Sequence, residues 1–174
     1  MKHRSRNTVI AAVGALVIAT TASAAAAPAP VVLNSSDHSF LSDVLSANQY
    51  EIDLSNYAAK KASSAKVRQF AQTIVHDDNQ LAADLLKASD GSIPPPASTQ
   101  QPDRNFEGKT GADIDKAYLD VMVDELDIAA GKFLVAGDGP QHDAAVRAVA
   151  KQAAPMVRRH DEMAKSLDDS LTPK

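Results

Sequence analysis

The sequence predicts an all-α fold, a ferritin-like antiparallel four-helix bundle with a long proline-rich crossover between helices two and three, and three observations carry that prediction. Four long stretches place apolar residues at helical spacing. Short turn signals join the first stretch to the second and the third to the fourth. A long proline-rich segment separates the middle two, and no strand pattern, repeat or heptad run competes with this pattern.

Residues 1–26 read as a signal peptide. Lys2, Arg4 and Arg6 form a basic start and Val9 to Ala19 an apolar core. Small residues then offer Ala-x-Ala sites ending at Ala24 or Ala26. The apolar run is short for a span of about 20 residues, so no transmembrane segment is expected after cleavage; an uncleaved anchor is the alternative. Residues 27–36, with Pro28 and Pro30, read as a flexible lead-in, and the bundle occupies 37–171.

Ser36 or Asp37 is expected to cap the first helix, whose stripe Phe40, Val44, Ala47, Glu51, Leu54 and Ala58 runs to about Ala62. Ser63–Ser64 leaves room only for a short connection, so the second helix folds back antiparallel. It runs from about Ala65 to Ser89 along Val67, Phe70, Ala71, Ile74, Asp77 or Asp78, Leu81 and Leu85, and stops at Gly91. Residues 92–110, with Pro94–Pro96, Pro102 and Gly108, favour an extended path. About 19 extended residues reach roughly 60 Å, more than the roughly 37 Å of such a helix, so the segment can cross the whole bundle.

Thr110–Asp113 resembles a capping box opening the third helix. Its stripe is Ile114, Tyr118, Val121/Met122, Glu125, Ile128/Ala129 and Phe133, with Gly131 as a close-packing contact. Gly137–Pro140 is a turn, and Pro140 suits the first position of the fourth helix. That helix carries Val146, Val149/Ala150, Ala153, Met156/Val157, His160, Met163/Ala164, Leu167 and Leu171, with Pro155 expected to kink it before His160.

The formal charge is −4, and losing Lys2, Arg4 and Arg6 with residues 1–24, which hold no acid, lowers it to −7. A mildly acidic chain without a basic patch argues against nucleic acid and anionic lipid as main partners. The absence of cysteine excludes a lipoprotein anchor, disulfides and thiolate metal sites. Stability must come from packing in an alanine-rich core that is thin in aromatics.

Glu51, Asp77 or Asp78, Glu125 and His160 fall near the middle of the four stripes. A charge on an apolar face needs a partner, a metal or water. Carboxylates and imidazole projecting inward from four helices is how di-iron bundles bind metal, so Glu51, Asp78, Glu125 and His160 are the candidate ligands of a divalent metal such as iron. No Glu-x-x-His is present, however, and each residue has a structural reading. Glu51 can be a buried hydrogen-bonded carboxylate, one of Asp77 and Asp78 solvated, Glu125 part of a surface cluster with Asp124 and Asp127, and His160 bonded to a carboxylate. Asp161 and Glu162 should point away, and His38, His76 and His142 should face water. No catalytic Ser/His/Asp or Cys/His set and no Gly-rich phosphate loop is found.

Phe40-Leu41 with Ala47-Asn48 and Glu51-Ile52, Phe70-Ala71-Gln72 leading to Asp77, Asp115-x-x-Tyr118 with Met122-Val123, and Pro155 with His160 appear in order over about 38–170. The set resembles a bacterial secreted family called domain of unknown function 4142. The resemblance implies a ferritin-like fold, export to the periplasm or beyond, and no established activity. It also implies two departures: Asp77–Asp78 stands where the family commonly has Asp-His, and Leu126 where it has a histidine after an acid. The resulting expectation is an exported, non-enzymatic envelope protein, periplasmic or secreted, that binds a protein partner, forms a homo-oligomer or is structural. The alternative is a metal-binding, di-iron-like protein for storage or oxidative protection with a degenerate ligand set.

Overall fold

A computed structural model describes residues 33–98 and 104–171. The expected signal peptide and most of the lead-in lie outside the described residues. Among the described residues there are four helices, α1 (Ser35–Lys61), α2 (Ala65–Ala88), α3 (Ala112–Asp138) and α4 (Ala144–Leu171), and a 3₁₀ turn at Arg104–Phe106. No described residue is in a strand, and no described helix is long and apolar enough to cross a membrane.

The neighbouring pairs are α1–α2, α3–α4, α1–α3 and α2–α4. Two buried aspartates fix the order of the ends. Asp115, at the start of α3, accepts from Ser63 N (2.8 Å), Ser63 Oγ (2.6 Å) and Ser64 N (2.9 Å) in the α1–α2 turn. Asp37, at the start of α1, accepts from His142 Nδ1 (2.7 Å) and from the Asp143 amide in the α3–α4 turn. Helix α3 therefore begins where α1 ends, every neighbouring pair is antiparallel, and α2 reaches α3 only by crossing the bundle's length. One long crossover among short turns is the connectivity of ferritin-like folds.

The crossover is anchored along its described parts. Asp90 (φ 48°) and Gly91 (φ 78°) turn the chain out of α2 in the left-handed region, where glycine carries no Cβ penalty. Ile93 is buried, Ser98 Oγ donates to Asp53 Oδ1 (2.7 Å), and Phe106 stacks on Tyr57 with ring centroids 4.8 Å apart.

Several local expectations are corrected. Asn34, not Ser36 or Asp37, caps α1, its Oδ1 accepting from Asp37 N (2.9 Å), because Asp37 is engaged across the bundle. Gly111 precedes α3 without a side-chain cap bond. Helix α4 starts at Ala144 rather than Pro140, since the His142 ring must reach Asp37 before the helix begins. Ile128 (55% exposed) and Met163 (41%) lie outside the core, while Ala129 and Ala164 beside them are inside. The close approach is at Gly137, where an added Cβ would sit 2.9 Å from Lys151 Cγ; at Gly131 it would meet nothing.

Candidate functional site

Helical spacing puts Asn48, Glu51 and Ser55 on the buried face of α1 at i, i+3 and i+7. Asp78 is inward on α2 between Ile74 and Leu81, Tyr118 on α3, and His160 on α4 between Val157 and Ala164. Glu51 is 4% exposed and Asp78 and His160 are 1% exposed, so the structure does bring these three into the interior. Glu125 is half-buried and influences Glu51 through its charge.

Two pairs result. Glu51 and Asp78 are paired, and a hydrogen bond between two carboxyl groups requires that at least one of them be protonated. Burial, and then the Asp78 charge, push Glu51 well above the ordinary carboxylate range. Burial pushes Asp78 up to about 7, opposed by the bond from Glu51 and assisted by Asp77.

The second pair is His160 and Asp77, where Nε2–H donates to Oδ2 over 2.9 Å. Asp77 is thus no solvated bystander; its side chain is only 26% exposed. Burial lowers the basicity of His160 more than Asp77 restores it. The neutral ring then carries its hydrogen on Nε2 and presents a bare Nδ1. That nitrogen stands 4.0 Å from Asp78 Oδ1, beyond hydrogen-bond length. Nδ1 and Asp78 Oδ2 have no protein partner, nor do either of the Asn48 amide atoms. Among the described residues no three His, Cys, Asp or Glu side chains are arranged to hold a metal ion.

Tyr118 OH and Ser55 Oγ share a buried hydrogen bond (2.8 Å), and burial raises the Tyr118 hydroxyl above its ordinary value, so it stays neutral beside the acids. The arrangement can hold protons on buried carboxyl groups.

Some polar residues of the interior escape sequence reasoning. His142, expected in water, is 6% exposed at its side chain and bonded to Asp37, a residue 105 positions away. Asp161, expected to point away, is 8% exposed and pairs with Lys165 (2.9 Å), because it shares its face with Val157 and Ala164. Glu162, His38 and His76 are exposed, as expected. Ser55 carried a usable signal: it lies one turn beyond Glu51 on the same face.

The profile of a family described as Domain of unknown function (DUF4142) matches residues 20–167. A search of curated proteins finds none that matches the chain. Among solved structures, the fold is similar to a DUF305 fragment from Deinococcus radiodurans, at TM-score 0.67 and 14% sequence identity, covering 80% of this chain and 99% of that one. At that identity the likeness concerns the fold alone.

Proposed function

The chain belongs to the family of the domain of unknown function DUF4142, and on that premise we propose that it is an exported helical bundle that acts without catalysis, as a binding or structural component of the cell envelope. The basic, apolar and small-residue segments at the start of the sequence support export. One observation carries the non-catalytic reading. The interior ionisable groups resolve into a pair of carboxyl groups raised by burial and a histidine–aspartate pair. Paired groups of this kind fit the requirement that buried charge be neutralised or bonded.

Metal analysis of protein purified without chelator, with melting measured before and after adding iron, manganese or zinc, tests the reading. Metal-free protein with an unmoved melting temperature is the expected result. Stoichiometric metal that disappears in a His160→Ala variant overturns it in favour of a metal-binding protein. Fractionation of cells producing the full chain tests the compartment: the expected product is processed and outside the cytoplasm, and a full-length cytoplasmic product contradicts export.

A further inference from the structure

The outer face that α3 and α4 share sorts its charge by helix. On α3, Asp127 and Asp138 are exposed about three turns apart. On α4, Lys151, Arg158 and Lys165 are exposed and recur about every two turns. Glu162 interrupts the cations, but Arg159 stands with it at the same groove. Lys132 of α3 is drawn to the other edge of that helix by Asp43 (3.6 Å), and the sorting ends near the start of α3, where Lys116 meets Asp168 (3.2 Å). Within one chain Lys151 lies 3.5 Å from Asp138 and Lys165 3.0 Å from Asp127, while Arg158 has no ion pair among the described residues. Between the two edges runs an apolar strip. Leu134 is 52% exposed, Ala154 and Pro155 line the groove beside it, and Gly131 leaves open space one turn away.

An apolar centre edged by charge is the anatomy of a protein–protein contact, and charge complementarity names the occupant. A face that is acidic along one helix and basic along the next matches its own copy turned about a two-fold axis along the groove. That rotation leaves each position at its own level and exchanges the helices. Asp138 then faces Lys151 of the second copy, and Asp127 faces Lys165 of the second copy, each contact occurring twice. Arg158, midway between those lysines, faces the strip between the second copy's Asp127 and Asp138. A two-fold axis across the helices would instead lay the acids of α3 on one another. We propose that the α3–α4 face joins two copies of this chain, α3 of each packed antiparallel on α4 of the other with Leu134 at the centre.

The chain as a whole is acidic at −4, so two copies repel at a distance and the contact depends on the sorted face. Exposed pairs such as Lys151–Asp138 contribute little within one chain, so exchanging them between copies costs little. Covering them beside Leu134 removes the water and salt that screen them. The inference goes beyond the envelope reading and does not rest on it. The face is the same whether or not the chain is exported or holds metal, so failure of either reading leaves the other standing.

Sedimentation equilibrium of the full chain at high micromolar concentration should give about twice the mass of one chain, and a single-chain mass there overturns the proposal. Leu134→Arg should give single chains; a dimer that survives it overturns this face as the interface. A charge exchange supplies a second test. Lys151→Asp with Arg158→Asp makes both edges acidic, Asp127→Lys with Asp138→Lys makes both basic, and each variant alone should stay single. Mixed, they should form a dimer of one copy of each, because every α3 then meets an α4 of opposite charge. The same mixture with Leu134→Arg in both should not, which separates docking at this face from general attraction between opposite charges. A mixture of the two charge variants, both folded by circular dichroism, that stays single overturns the proposal.

Discussion

At the scale of single residues, the Glu51–Asp78 pair sets the chemistry of the interior. Glu51→Leu removes the carboxyl partner of buried Asp78, so it should cost about 3 kcal/mol in urea unfolding at pH 7. Adding Asp78→Asn should restore most of that loss, since no buried charge then lacks a partner. An unaltered unfolding midpoint for Glu51→Leu alone would show that the pair is not a buried, bonded unit. The inward position of Glu51, Asp78 and His160 was legible because helical spacing leaves few alternatives on an apolar stripe. Their partners were less so. The partner of Glu51 is on another helix. Asp77 looked redundant beside Asp78, but a rotation of about 100° between successive helical residues leaves it at the edge of the interface, within reach of His160.

At the scale of elements, aspartates and glycines decide the ends and the contacts. Asp115 satisfies two turn amides and a hydroxyl between α1 and α2, so Asp115→Ala should destabilise by about 2 kcal/mol, read from thermal melts. Gly131 sits within α3 with open space where a Cβ would go, and Gly131→Ala should stabilise by about 1 kcal/mol through helix propensity and a less flexible unfolded chain. Gly137→Ala should give no such gain, because its Cβ meets Lys151 Cγ at 2.9 Å. Equal gains at both positions would contradict the packing described for α3 and α4. The extents of α1 and α2 were readable to within a residue or two from periodicity and breakers, whereas caps were not. Asn34, Gly111 and the delayed start of α4 depend on Asp37 reaching His142 and on Asp115 reaching the α1–α2 turn, contacts between residues 105 and 52 positions apart.

At the scale of the whole molecule, the crossover and the two end-pinning aspartates make one antiparallel bundle, and the interior pairs make its stability depend on pH. Glu51 and Asp78 have folded pKa values raised above their ordinary 4.5 and 3.8, Asp78 to about 7, so their contribution is full at acid pH and is lost as pH rises through the folded values. His160 is lowered from 6.5, so its contribution is present above that pH and is lost as pH falls through its folded value. The two trends oppose one another below 6.5 and only the loss remains above it. The melting temperature should therefore fall between pH 6.5 and 8, by the equivalent of about 1 kcal/mol, and Asp78→Asn should flatten that fall. The architecture could be read from the sequence because the linker length admits a full crossing, while the interior pairs could not, because their geometry depends on how four helices are rotated against one another. The most direct test of the account is the infrared spectrum at pH 6, where the buried Glu51 and Asp78 should give a carboxylic-acid stretch that Glu51→Gln weakens and Glu51→Gln with Asp78→Asn abolishes. A folded protein at that pH with every interior carboxyl ionised would contradict it.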